Sequence, residues 1–205
     1  MRRIVKRQPP QDLGRYVERA NPQKWEEVHQ NQIFPHLYED CIGQLREEQA
    51  NLSGYTEKPL PQQGTHVDHF RKQSLFNSRE FVFGWDNLIA DEHSREYGAD
   101  HKDNVITSKE AYQKLIDPVA QDPHHFFTYM ENGMIMPKEG LGEEERKMAE
   151  FTIDTFNLQH PTLLNRRENI IRMVKSYRQG GLSNEDILQC VGDYGFPSAV
   201  NYALM

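Results

Sequence analysis

The chain has 205 residues, 37% of them hydrophobic and 27% charged, with a formal net charge of −7. That length makes one domain or two small ones, and the acidic balance argues against nucleic-acid binding driven by overall charge. No apolar run approaches the ~20 residues that span a bilayer, and no apolar stretch follows the basic start MRRIVKRQPP, so the expectation is a cytoplasmic chain with no membrane association and no signal peptide. In chain order, DLGRYVERA reads as a first helix and NPQKWEEVHQ as the start of a second. In PHLYEDCIGQLREEQANL, Leu37, Tyr38, Cys41, Ile42 and Leu45 share one helical face, with Pro35 suiting the helix start. SGYTEKPLPQQGT reads as turns and loop. THVDHF and EFVFGW are strand candidates, and DNLIADEHSREYGADHKDN suits a loop followed by a short helix. TSKEAYQKLID has a capping box in Thr107-x-x-Glu110, and HFFTYMENGMIMP predicts a hairpin around Asn132-Gly133. EEERKMAEFTIDTFNL and PTLLNRRENIIRMVKSYRQGG are longer helices, followed by short ones in SNEDILQCV and PSAVNYALM. The predicted class is α+β, mostly α: a helical segment over 1–50, a core over 51–106 and a helical region with a small hairpin over 107–205.

Cys41 and Cys190 are the only cysteines, which points to a reducing compartment and two buried thiols. Local basic clusters stand against the acidic total: Arg2, Arg3, Lys6 and Arg7 at the start, and Arg166, Arg167, Arg172, Lys175 and Arg178 late in the chain. On the late helix, Leu163, Ile170, Ile171, Val174 and Tyr177 form a stripe expected to pack around Phe151 and Phe156. Arg166, Arg172 and Lys175 lie off that stripe, on a face free for an acidic partner or a nucleic-acid backbone.

The densest chemistry lies between Thr65 and Asn104. Asp68 and His69 suit metal-assisted hydrolysis, because a carboxylate is a hard ligand for Mg²⁺ or Mn²⁺ and an imidazole takes a proton from water near neutral pH. Asn87 follows, then His93, Glu96, Asp100, His101 and Asp103. VDHFRKQS with FGWDNLIA resembles the motif of the HNH, or His-Me finger, nucleases. LREEQANLSGYTEKPL, the start MRRIVKRQPP and the tail EFTIDTFNLQHPTLLNRRENIIRMV are similar to the HNH proteins of Septu-type antiphage systems, including retron-linked ones. The resemblance implies a ββα-metal finger flanked by helices. It makes His69 the general base, Asp68 the ligand of a single Mg²⁺ or Mn²⁺, and Asn87 the residue that ties the loop. His93 and His101 are taken as further ligands, with Glu96, Asp100 and Asp103 in reserve. His66 either lines the same cleft or is an ordinary strand residue, and His124-His125 starts the later hairpin.

Where the family carries paired cysteines, this chain has Ser53 and Thr56, and residues near Glu92 and Tyr97. No structural zinc is therefore expected, with packing by Tyr55, Phe83 and Trp85 in its place. The Pro-Lys usual after the catalytic histidine is Lys72-Gln73. The implied function is a metal-dependent endonuclease cutting DNA or RNA, transfer RNA included, as the toxic effector of a defence complex. The implied partners are an ABC- or SMC-like ATPase and, in retron-linked systems, a reverse transcriptase with its multicopy single-stranded DNA. A catalytically inactive HNH-like adaptor is the alternative. A zinc-binding regulator is a third, weaker reading.

Overall fold

The N-terminal helices form where the apolar spacing puts them. The computed structural model describes residues 1–205. Helix α1 (Gln11–Ala20) buries Leu13 and Tyr16 and ends at Asn21, which is left-handed at φ 50°. Helix α2 (Glu26–Gln30) buries Val28. Helix α3 (Leu37–Glu48) starts two residues past Pro35 and buries Leu37, Cys41 and Leu45, one helical turn apart. The basic start of the chain runs beside α3 and is largely neutralised there. Arg7 pairs with Glu47 at 2.7 Å, Lys6 pairs with Glu48 at 3.4 Å, and Arg2 donates to the Gln49 carbonyl.

Strand β1 (Thr65–His69) lies where expected, but its partner does not. EFVFGW forms helix α4 (Arg79–Phe83) and a single 3-10 turn over Trp85–Asn87. The partner is strand β2 (Leu88–Glu92), within the segment read as loop. The two pair antiparallel, with Val67 opposite Ala90 and His69 opposite Leu88. LIADE looks too polar for a core strand, and its buried aspartate is only half satisfied: Asp91 Oδ2 accepts from the Ala99 amide at 2.8 Å, while Oδ1 has no partner. Consecutive buried residues Leu88, Ile89 and Ala90 show that the hairpin has no solvent face. The buried Gln49 amide closes the outer edge of β2, accepting from Ala90 N and donating to Ala90 O, both at 2.8 Å. Helix α5 (Ala99–Val105) follows.

The expected capped helix at TSKEAYQKLID is only a 3-10 turn over Glu110–Lys114. Beyond it the chain is held by helix α7 (Glu143–Thr155), whose Thr152 hydroxyl accepts from the Ile116 amide at 2.9 Å, so a tertiary contact overrides the local signal. His124 and His125 sit in helix α6 (Pro123–Phe126), just before strand β3 (Phe127–Tyr129). Strand β4 (Ile135–Pro137) completes the second hairpin, with Gly133 at φ 80° in its turn. Helices α7 (Glu143–Thr155), α8 (Pro161–Gln179), α9 (Asn184–Val191) and α10 (Pro197–Leu204) close the chain. On the α8 stripe Leu163, Ile170, Ile171 and Val174 are buried and Tyr177 is half-buried, and the helix packs chiefly on α10 and α9 rather than on α7. No helix is long and apolar enough to cross a membrane.

Two apolar cores result. The smaller gathers α1, α2 and α3 with Val67, Val82, Phe83, Trp85, Leu88 and Ala90. The larger gathers the C-terminal helices with Tyr55, Phe70 and Ile89. Tyr55 stacks on Phe156 at 4.3 Å in the larger core, so it does not join Phe83 and Trp85 as the sequence suggested. The thiols are also split: Cys41 is buried and Cys190 is exposed.

Candidate metal and acid-base site

Alternation along β1 sends His66 and Asp68 to one side and Val67 and His69 to the other. Phe70, one residue past the strand, lies in the larger core.

Asp68 is sealed. Its Oδ2 takes the hydroxyl of Tyr55 and lies 3.1 Å from Lys102 Nζ. Lys102 comes from α5 and has no exposed surface. Its ammonium also donates to the carbonyls of His69 at 2.7 Å and Phe70 at 3.1 Å, and lies 2.9 Å from Asp103 Oδ1. Burial alone would push the Asp68 carboxyl up, but Lys102 and the Tyr55 hydroxyl outweigh it and hold it below its ordinary value. Burial would likewise pull Lys102 down, yet Asp68 and Asp103 hold it above. The pair is therefore charged, and α5 is tied by one ammonium to the end of β1.

His69 is only 6% exposed, packed edge-on against Trp25 with ring centroids 5.7 Å apart. Its Nε2 lies 2.9 Å from the Val82 carbonyl. A carbonyl only accepts, so Nε2 carries the proton and Nδ1 holds the free lone pair. Burial lowers the pKa of His69, favouring this neutral form. Val82 also lines a polar cleft of about 450 Å³ with Gln23, Lys24, Glu26, Gln73, Ser74 and Asn77.

Asn87 ties the loop between the strands. Its Oδ1 accepts from the Arg71 amide at 2.8 Å, and its Nδ2 donates to the carbonyls of Phe81 at 2.7 Å and Arg71 at 3.1 Å. The Asn87 carbonyl accepts from the Phe70 amide at 2.8 Å. This spans the turn after His69 and the helix that supplies the Val82 carbonyl. Asn87 also lines a cleft of about 550 Å³ that carries Arg7 and Arg71 beside Glu80, Asp86 and Asp117.

The ligand-rich group is His66, His93 and Asp100, whose donor atoms lie within 4.8 Å of one another. One comes from β1, one from just after β2 and one from α5. The rings of His66 and His93 stack at 3.9 Å, and His93 Nδ1 lies 3.4 Å from Asp100 Oδ2. His66 Nδ1 is buried with no partner. Burial lowers the His66 pKa, so the ring is neutral and able to ligate. An orphaned imidazole nitrogen beside a second imidazole and a carboxylate fits a divalent ion. Two nitrogens and one oxygen suit Mn²⁺ and its later neighbours better than Mg²⁺. The group depends on Gly98, at φ 76° just before α5, where a Cβ would lie 2.7 Å from Asp91 Oδ2. Burial pushes the Asp91 carboxyl up to about 7.

Of the residues named as ligands, the structure brings His93 and the reserve Asp100 into this group. Asp68 is engaged by Lys102 and Tyr55. The His101 Nδ1 lies 2.9 Å from the Thr155 carbonyl, against α7. Glu96 lies 3.8 Å from His160, and Asp103 flanks Lys102. His66 and Asp100 take the places beside His93. Lys102 escaped the sequence reading altogether, since a lysine in a polar helix reads as solvated and no local signal marks it as buried. The positions expected to carry cysteines in the family hold polar bridges. Ser53 Oγ accepts from the Thr56 amide at 3.0 Å, and Lys58 Nζ joins Glu92 at 2.6 Å to the Tyr97 hydroxyl at 3.0 Å. His124 contacts Ser198 at 2.8 Å and His125 contacts Glu145 at 2.8 Å, both away from this group.

No protein-family model matches the chain, and no curated protein does either.

Proposed function

We propose that this protein is a divalent-metal-dependent phosphodiester hydrolase of the HNH kind, with β1, β2 and α5 as its ββα unit. The observation that carries the reading is the fixed tautomer of His69, whose Nε2–H is spent on the Val82 carbonyl while Nδ1 stays unprotonated. Such an imidazole takes a proton from water through Nδ1 as the water attacks phosphorus. Asn87 acts as a positioning residue, holding the loop on which His69 depends. His66, His93 and Asp100 would hold an ion, Mn²⁺ in preference to Mg²⁺, on the opposite side of β1 from His69, so the group supports dependence on a divalent ion and is not beside the base. Asp68 is assigned a positioning role: its charge fixes Lys102 against the carbonyls of His69 and Phe70. The resemblance of sequence supports the rest of the reading: action on DNA or RNA, in a defence complex with an ABC- or SMC-like ATPase and, in retron-linked systems, a reverse transcriptase.

One observation favours the adaptor reading. Asp68, the acidic member of the motif, is closed off by Lys102 and Tyr55. The two readings separate on incubation of the protein, alone and with its partner ATPase, with plasmid and total RNA in Mn²⁺. Cleavage abolished in His69→Ala and in His66→Ala supports the hydrolase. No cleavage under any condition, or cleavage unchanged in His69→Ala, refutes it.

A further inference from the structure

An open groove of about 770 Å³ runs along α8 and is closed on one side by Tyr194, in the 3-10 turn after α9. Its volume falls in the range of small-molecule sites. It shares no residue with the hairpin site, so it stands independently of the hydrolase reading. Two guanidiniums line it, those of Arg166 and Arg172, and no carboxylate does. That is a local reversal of sign in a chain of net charge −7. Arg166 has no salt-bridge or hydrogen-bond partner. Arg172 is held only by Glu168, one turn away on the same exposed face at 2.7 Å. Pairs of that kind are weak enough for a phosphate to displace. Asn169 and Ser176 likewise offer side chains committed to no bond, while Ile170 and Met173 supply an apolar floor. Tyr194 is 55% exposed, a large ring left in solvent. Lys175, by contrast, is taken by Glu131 and is not part of the groove.

We propose that this groove binds a nucleotide unit, its phosphate on Arg166 and Arg172 and its base against Tyr194 over Met173. Free anions alone would use the arginines and leave the tyrosine idle. An apolar ligand would leave two guanidiniums uncompensated. A phosphate joined to a flat ring uses both. The ligand comes either from single-stranded nucleic acid or from a free nucleotide, and the chemistry is common to both.

The test measures binding by the full-length protein in EDTA, so that no hydrolysis is needed. The probes are a fluorescein-labelled thymidine decamer, followed by anisotropy, and AMP and ATP, followed by calorimetry. Pyrophosphate is the ring-free control. Arg166→Ala with Arg172→Ala should weaken binding at least about tenfold. For the decamer it should also flatten the dependence of log K on log salt, by about 0.7 for each phosphate no longer neutralised. Tyr194→Ala should cost about five- to tenfold, and Tyr194→Phe should restore most of it, because stacking needs the ring and not the hydroxyl. Thermal unfolding of each variant checks that it folds. Decamer binding without AMP or ATP binding assigns the polymer, and the reverse assigns the free nucleotide. The proposal is overturned if none of the three nucleotide probes binds or if the arginine pair leaves affinity unchanged. It also fails if pyrophosphate binds as tightly as ATP with Tyr194→Ala silent.

Discussion

Replacing Lys102 with methionine keeps most of its stem volume and removes the ammonium that joins α5 to β1. Asp68 is 6% exposed, so its charge would be left in the interior with only the Tyr55 hydroxyl as donor. The carbonyls of His69 and Phe70 would each lose a donor, at 2.7 and 3.1 Å. Asp103 is partly exposed and can turn to water, so it adds little. Breaking a buried pair from one side costs about 3–5 kcal/mol. At about 2–4 °C per kcal/mol for a chain of this size, the midpoint should fall roughly 6–20 °C. Urea unfolding followed by circular dichroism, with a thermal scan beside it, measures both figures. Asp68→Asn together with Lys102→Met should recover part of the loss, because the stranded charge is then gone. It should not recover all of it, because the two carbonyls stay unpaired. A Lys102→Met protein within about 1 kcal/mol of wild type would refute the buried-pair account. So would a double variant as unstable as the sum of the two singles.

Asn87→Ala leaves the Arg71 amide and the carbonyls of Arg71 and Phe81 without their partner, and should destabilise the protein by about 2–3 kcal/mol. Urea titration checks it, and Asn87→Asp, which keeps only the acceptor, should not rescue fully. Gly98→Ala should cost at least about 2 kcal/mol, since φ 76° with a Cβ 2.7 Å from Asp91 Oδ2 combines backbone strain and a clash. Calorimetric titration with Mn²⁺ should show weaker binding in that variant if the turn sets His93 and Asp100. One thiol per chain should react quickly with Ellman's reagent in the folded protein. Cys190 is exposed, whereas Cys41 is sealed and its thiol pushed up to about 12 by burial, so the second equivalent should appear only in denaturant. The Cys190→Ser variant settles which thiol is fast.

Helices with a strong apolar stripe were legible in the sequence. The stripes of α3 and α8 are buried at Leu37, Cys41 and Leu45 and at Leu163, Ile170, Ile171 and Val174, with Tyr38, Ile42 and Tyr177 half-buried at their edges. The second strand was not legible, for a physical reason. EFVFGW has the β-prone aromatics, but its Val82 and Phe83 bury at adjacent positions as a helix. LIADE, in turn, carries acidic groups that read as solvated, yet Asp91 is buried with its carboxyl pushed up to about 7, and Glu92 is held by Lys58. The motif residues Asp68, His69 and Asn87 were visible as types, yet their roles depend on contacts made across the chain. Lys102 reaches Asp68 from thirty-four residues away and Tyr55 from thirteen. The donor group His66, His93 and Asp100 includes a reserve candidate, Asp100, and a residue not named as a ligand, His66, because only the hairpin and the turn at Gly98 bring them together. The basic stretches read correctly as charge but not as freedom. Arg167 is buried, donating to the Gly133 carbonyl at 2.6 Å and the Leu158 carbonyl at 2.5 Å.

The β1–β2 hairpin is a wall shared by two cores, and that makes its alignment a keyed fit. Side chains alternate along a strand, so a slip of one residue would turn His66 and Asp68 toward Trp25 and the N-terminal helices. Val67 and His69 would turn toward Tyr55 and Lys102. In a hairpin with one wet face, such an error is penalised on one side only. Here it fails on both at once, stranding a carboxylate in one core and Lys102 without its counter-charge in the other. Each half of the chain thus proofreads the other's docking. The correct alignment is secured only when helices from both ends of the sequence have arrived, which favours late, cooperative formation of the hairpin over early local folding.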